Sequence, residues 1–213
     1  MRREAGSGNA WREEALLRVL IINGSYRKNG ATDLLVDVVD RTLKARGAET
    51  DLLVLRGEDI CFCTNCRACM QKPGEAPGEC VLRDAMQDIV QRIEACDALV
   101  LASSTNAGSV TAIFRRLIER LVVYCYWPWG TPSPTYRKAV ATKKKAVLIS
   151  TCGAPAFLGR LLFSTQRQLA ATAKLVGARV RGALFLGLHA QQPVAKLSPS
   201  EIKRAERLAE KLL

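Results

Sequence analysis

The chain has 213 residues, 48% hydrophobic and 24% charged, a balance that suits one globular domain with a full apolar core. Its formal net charge of +12 attracts anions, yet no zinc-finger spacing with histidines, arginine–glycine repeat or aromatic-interleaved basic strand points to nucleic acid. No stretch approaches the ~20 apolar residues of a membrane-spanning helix, and the start lacks the apolar run of a secretory signal, so a cytoplasmic protein with reduced thiols is expected.

Residues 1–16 read as an N-terminal extension of low order, with a short helix near Trp11, and residues 17–213 as one domain. Leu17-Arg18-Val19-Leu20-Ile21-Ile22 is a short apolar run, as in a strand buried on both faces. After a turn rich in Gly and Asn, the spacing of Leu34, Leu35, Val38, Val39 and Leu43 predicts a helix over 31–46, stopped by Gly47. A second strand is expected over 50–55, then a cysteine-rich loop over 61–80 and a helix over 82–95. The third strand, 98–102, leads through Ser103-Ser104-Thr105-Asn106 into a helix over 109–124. Residues 126–134, rich in Trp, Pro and Gly, read as a loop. A strand over 146–150, a helix over 158–176 and a strand over 179–186 follow. The last helix is announced by Ser198-Pro199-Ser200-Glu201, with a capping residue, Pro at the first helical position and Glu three residues after the cap. Lys143-Lys144-Lys145 reads as a solvated turn before a strand.

Strands and helices thus alternate five times, the pattern of an α/β three-layer sandwich whose five-stranded parallel sheet has order 2-1-3-4-5 and helices on both faces. In such a sheet ligands bind at the carboxyl ends of the strands. That rule gathers three loops: 24–32, 103–109 and 151–155. The first joins a strand to a helix start, where unpaired N–H groups favour an anion; Ser25 and Thr32 add hydroxyls, and Arg27 or Lys28 positive charge. It carries neither a Walker pattern nor the G-x-G-x-x-G fingerprint.

Of eight cysteines, Cys63, Cys66, Cys69 and Cys80 form C-x2-C-x2-C-x10-C, with Cys61 an additional thiol just before them. Thiolates are soft ligands, and four of them suit an iron–sulfur cluster or tetrahedral zinc equally well. Cys96, Cys125 and Cys152 lie among apolar residues and read as small core residues.

The stretch Leu20-Ile21-Ile22-Asn23-Gly24-Ser25-Tyr26-Arg27-Lys28-Asn29-Gly30-Ala31-Thr32 resembles the opening motif of the NADPH-dependent FMN reductase family. The three spaced cysteines with Gly78-Glu79-Cys80-Val81-Leu82-Arg83-Asp84-Ala85-Met86 resemble that family's cysteine-bearing branch, which includes iron–sulfur flavoproteins. Asp97 to Leu101, Gly108-Ser109-Val110 and Arg116 to Arg120 follow the same family's pattern. The resemblance implies a flavodoxin-like fold and an FMN-dependent NAD(P)H oxidoreductase or electron-transfer flavoprotein, with no catalytic side chain. It places FMN on Ser25, Arg27, Asn29, Gly30, Ala31 and Thr32 at the phosphate, and on Ser103, Ser104, Thr105, Asn106, Gly108, Ser109, Thr151 and Gly153 along the ring edge. It further implies a [4Fe-4S] cluster on Cys63, Cys66, Cys69 and Cys80, a small-molecule or protein electron donor or acceptor, and a homodimer or homotetramer.

The chain departs from that pattern in places. Ser104 and Asn106 stand where family members carry Pro and an aromatic residue, Ala107 replaces a second aromatic, and Ala31 replaces an Asn. Trp127 and Trp129 are the aromatic residues that would substitute at the flavin ring; core or subunit-contact roles are the alternative. From a different class comes a flavodoxin-like binding domain with a structural zinc site on the four cysteines and no redox activity. A basic nucleic-acid-associated protein is the weakest reading. His189, the one histidine, follows the last strand.

Overall fold

A computed structural model of the chain describes residues 16–138 and 144–213. The expected extension, apart from Leu16, and Lys143 lie outside the described residues.

Among the described residues, seven strands and six α-helices follow in chain order: β1 Arg18–Asn23, α1 Ala31–Ala45, β2 Glu49–Val54, α2 Met86–Ala95, β3 Ala98–Ser104, α3 Ala112–Arg120, β4 Cys125–Tyr126, β5 Thr135–Tyr136, β6 Lys145–Thr151, α4 Ala156–Leu162, α5 Thr165–Leu175, β7 Arg179–Leu186 and α6 Pro199–Ala209. Five strands form the main sheet in the order β2-β1-β3-β6-β7, every neighbouring pair parallel. This is the 2-1-3-4-5 order expected for the five principal strands.

The alternation of side chains along a strand explains why β1 reads as a continuous apolar run. Val19 and Ile21 face one layer, where Leu35, Val39 and Leu43 of α1 meet Ala205, Leu208 and Ala209 of α6. Leu20 and Ile22 face the other, packing with Ile89 and Ile93 of α2, Phe114 and Leu117 of α3, and Leu169 of α5. The sheet edges carry charge, with Glu49 and Asp51 on β2 and Arg179 and Arg181 on β7, which discourages further strand pairing.

Three predicted helices differ in extent. The 158–176 segment breaks into α4 and α5 because Ser164 turns its N–H and its hydroxyl onto the Gly108 carbonyl at 2.8 and 3.1 Å. Thr165 Oγ1 pairs with Thr105 Oγ1 at 2.9 Å, so side chains at the break serve the loop after β3. The 82–95 helix begins only at Met86, since Asp84 accepts the Met86 N–H at 3.0 Å while its carboxylate is committed to the cysteine loop. The 109–124 helix starts at Ala112, where Thr111 Oγ1 accepts the Phe114 N–H at 3.3 Å, and ends in a 3-10 turn over Leu121–Tyr124. The Trp-rich loop proves to be the tip of a two-stranded hairpin, β4 with β5.

Candidate cofactor cleft and cysteine loop

At the carboxyl edge of the sheet the chain leaves β1 through Gly24, whose N–H still bonds the Ala102 carbonyl of β3 at 2.8 Å. A Cβ at Gly24 would stand 2.6 Å from the Phe114 ring, so only glycine allows α3 to press this close. Beyond it, Asn23 Oδ1 accepts the Ser25 N–H at 3.0 Å and fixes the turn. Asn29 adopts φ 56°, and Gly30 is the N-cap of α1 with no side chain to cap the helix. The first-turn N–H groups of α1 therefore remain available to an anion.

A buried network holds this loop from beneath. The Asp33 carboxylate accepts from Asn23 Nδ2 at 2.7 Å and from the Asn29 N–H at 3.0 Å. Arg56 donates to both Asp33 oxygens, at 3.1 and 3.0 Å, and to the Ser25 carbonyl at 3.1 Å. Sequence reasoning missed both residues: Asp33 sits among apolar neighbours in a predicted helix, and its partner lies 23 positions on.

The loops after β3 and β6 close on the first. Thr105 N–H bonds the Thr151 carbonyl at 2.7 Å, and Thr32 Oγ1 meets Thr151 Oγ1 at 2.8 Å. Together the three loops enclose a cleft of about 200 Å³. Ser25, Arg27, Gly30, Ala31, Thr32, Ser104, Thr105, Asn106, Thr151 and Gly153 line it. Four sequence-predicted residues do not line it: Asn29, Ser103, Gly108 and Ser109. Ser103 is fully buried, its hydroxyl donating to the Ser104 carbonyl at 2.9 Å and accepting from the Thr111 N–H at 3.2 Å. Ser109 and Gly108 shape a tight turn in which Ala107 and Gly108 take φ 47° and 75°, and Ser109 pairs with Gln168. Asn29 acts through its backbone N–H.

Tyr26, Cys152, His189 and Ala190 also line the cleft. His189 is fixed there by Glu201 Oε1 at 2.8 Å from Nε2. Arg27 reaches across to the carbonyls of Gln192, at 3.2 Å, and Pro193, narrowing the cleft. A larger hollow of about 750 Å³ runs along α2 beside Cys80, floored by Met86, Val90 and Val123. Among the described residues no hydroxyl side chain lines it, and Glu79 and Glu94 place carboxylates on its wall, so the smaller cleft is the better place for a phosphorylated ligand.

The cysteine loop is shaped by two arginines, Arg137 from beyond it and Arg67 within it. Arg137, buried just after β5, donates to the carbonyls of Cys69, Lys72, Gly74, Val123 and Cys125 at 2.8–3.1 Å. Arg67, at φ 60°, lies between the rings of Trp127 and Trp129, 3.9 and 4.2 Å from their centroids. Both tryptophans thus serve the cysteine loop, and neither lines the cleft. Gly78 passes so close to Cys69 that a Cβ would sit 1.8 Å from the Cys69 carbonyl oxygen, which returns the chain to Cys69 two residues before Cys80. Burial first, then the neighbouring thiols of Cys80, Cys63 and Cys66, push the Cys69 thiol up to about 11. The exposed Cys66 thiol is held below its ordinary value by the Ala68 N–H and the Thr64 side chain. Among the described residues no group of three His, Cys, Asp or Glu side chains forms a ready-made metal site.

The model of the family described as NADPH-dependent FMN reductase matches residues 17–189. The chain belongs to this family. A protein named iron-sulfur flavoprotein from Archaeoglobus fulgidus is 32% identical over 112 residues, covering 53% of this chain and 49% of that protein. The chain therefore spans about half the length of the curated relatives it matches. Among solved structures, an azoreductase from Bacillus anthracis superposes with TM-score 0.64 at 12% identity, over 92% of this chain and 100% of that one. A short-chain flavodoxin associated with a bacterial microcompartment gives TM-score 0.56 at 12% identity, over 92% of this chain and 97% of that one. These likenesses show the flavodoxin-like fold.

Proposed function

We propose that this FMN reductase family member is an FMN-dependent NAD(P)H oxidoreductase that passes electrons onward to a small-molecule or protein acceptor. The observation that carries the reading is the uncapped start of α1, facing Thr32, Thr105 and Thr151 at the carboxyl edge of the sheet. There the first-turn N–H groups of Ala31 and Thr32 with the Thr32 hydroxyl would hold the phosphate, and Arg27 would exchange the Gln192 and Pro193 carbonyls for phosphate oxygens. Ser104 to Asn106 and Thr151 to Gly153, which line the same cleft, would border the ring. When bound, FMN supplies the hydride and single-electron chemistry. The residues of the chain bind it, orient it and exclude water; the Asp33–Arg56 network keeps the loop in its binding shape before the ligand arrives.

The finer reading adds a [4Fe-4S] cluster on Cys63, Cys66, Cys69 and Cys80. Four soft thiols on one loop, the close pass at Gly78, and matched relatives named iron-sulfur flavoproteins support it. All eight cysteines are free, which supports a reducing, cytoplasmic setting, and among the described residues no helix is long and apolar enough to cross a membrane. The exposed Phe157, Leu161 and Leu162 of α4 support assembly as a homo-oligomer.

The test is anaerobic titration of apoprotein with FMN, followed by NADPH or NADH. Saturable binding and bleaching of the flavin absorption by either nucleotide are expected. No flavin uptake refutes the oxidoreductase reading. Iron, sulfide and zinc analysis of the same preparation decides the occupant of the four thiols.

A further inference from the structure

The four thiols differ in what touches them. Cys63 Sγ accepts the backbone N–H of Asn65 at 3.4 Å, and Cys66 is met by the Ala68 N–H and the neighbouring Thr64. Cys80 alone is met by a charged side chain among the described residues: Arg120 Nη2 donates to its sulfur at 3.4 Å. Arg120 closes α3 and is 2% exposed.

Its guanidinium is fixed by more than the sulfur. Nη1 donates to the Cys61 carbonyl at 2.9 Å and to Asp84 Oδ2, and Nη2 donates to Asp84 Oδ1 at 3.2 Å. Both side chains of this ion pair are 1% exposed. Asp84 also accepts the N–H groups of Cys61, at 2.8 Å, and Met86, at 3.0 Å. The planar fork therefore cannot rotate away from the sulfur without breaking several buried bonds. Stability alone is a poor reason for such a pair, since a buried ion pair roughly breaks even against apolar packing of similar volume.

A hydrogen bond to a ligating sulfur stabilises the form of a metal centre that carries more negative charge. We propose that Arg120 is a positioning residue for Cys80, holding its sulfur through the Nη2–H···Sγ bond and raising the electron affinity of the centre this sulfur ligates. The inference rests on the reading of Cys63, Cys66, Cys69 and Cys80 as cluster ligands. In that reading NAD(P)H would be the reductant, giving two electrons and a proton as hydride to FMN, from which single electrons would pass to the centre held by these thiols. Arg120 would then present its N–H to the Cys80 sulfur, where part of the added negative charge would fall. Asp84 keeps the guanidinium in place and offsets its charge, which leaves the directional N–H···S bond as the feature felt at the sulfur.

The test compares wild type, Arg120→Lys, the neutral pair Asp84→Asn with Arg120→Gln, and Arg116→Gln. Each is loaded anaerobically with iron and sulfide, and iron content, circular dichroism and the midpoint potential of the centre are measured. Arg116 is the control because it donates to the Ile60 carbonyl at 3.0 Å and lies over the Phe62 ring, touching the same loop but no sulfur. The midpoint potential falls in Arg120→Lys, whose ammonium lacks the planar fork, falls further in the neutral pair, and stays at the wild-type value in Arg116→Gln. An unchanged potential in Arg120→Lys, or an equal fall in Arg116→Gln, overturns the proposal, and Arg120→Lys decides alone if the neutral pair does not fold. Wild-type protein that takes up neither iron nor sulfide refutes the ligand reading itself, a separate and recognisable result.

Discussion

Asp33 concentrates more of the cleft's order than any hydroxyl that lines it. Its carboxylate ties the end of β1, the tip of the loop and the 3-10 turn after β2 through Asn23, Asn29 and Arg56. With the Asp33 side chain 10% exposed and that of Arg56 27% exposed, removing the carboxylate strands a partly buried guanidinium and two donors. Asp33→Ala is expected to lower stability by about 2–4 kcal/mol, read from urea unfolding. It should also weaken FMN binding at least tenfold, read by fluorescence titration, since the loop loses its shape along with its brace. A different strain sits at Ala107, where φ 47° is followed by φ 75° at Gly108 in a turn closed by Asn106 and Ser109. Such turns favour Asn-Gly, and an alanine held in the left-handed region costs about 1 kcal/mol. Ala107→Asn should raise the stability by about 0.5–1 kcal/mol, read as a higher urea midpoint with the slope unchanged.

Among the elements, α6 is the one whose start is most fully specified by local chemistry. Ser198 Oγ accepts the Glu201 N–H at 3.3 Å, and Glu201 Oε2 accepts the Ser198 N–H at 2.8 Å, while Glu201 Oε1 reaches His189 on the cleft wall. Burial alone would raise the Glu201 carboxyl, but the Ser198 N–H, His189 and the Ser198 hydroxyl together hold it below its ordinary value. A depressed folded value means the stabilisation is complete above the unfolded Glu pKa of ~4.3 and is lost as pH falls through the lower, folded one. Ser198→Ala should cost about 1 kcal/mol at neutral pH and make stability less sensitive to acid below ~4.3, measured by unfolding at a series of pH values. This cap was legible because all its parts lie within four residues. Strands β1, β3 and β6 were legible for a similar reason, their apolar runs being continuous and short. Where partners are distant in sequence, legibility ended: Arg120 meets Asp84 across 36 positions, and Arg137 meets Cys69 across 68. The tryptophans show the same limit, because nothing local tells a ring that will stack on Arg67 from one that will stack on a flavin. The α4–α5 break was hidden because neither Pro nor Gly marks it and the polar run Ser164 to Gln168 reads as a solvated turn of one helix, while the buried face changes, Phe157 and Leu161 being exposed and Leu169 and Ala173 buried.

At the scale of the molecule, the cleft joins parts of the chain that lie far apart in sequence, Thr32 and Thr151 being 119 positions apart. The start of α1, the end of β3 and the end of β6 are held to one another there by Thr32 with Thr151 and by Thr105 with Thr151. A ligand bound to all three adds its binding energy to the folded state alone, because the unfolded chain gathers none of these loops. Free FMN at 100 times its dissociation constant should therefore stabilise the protein by about 2.7 kcal/mol. For a domain of this size that raises the melting temperature by roughly 5–11 °C, read by differential scanning calorimetry. On the proposed reading, Arg27→Gln removes the guanidinium that would exchange the Gln192 and Pro193 carbonyls for the phosphate. Its melting temperature without ligand should match wild type, while the rise with the same FMN concentration shrinks. An equal rise in both proteins would mean that the phosphate lies elsewhere than at the start of α1.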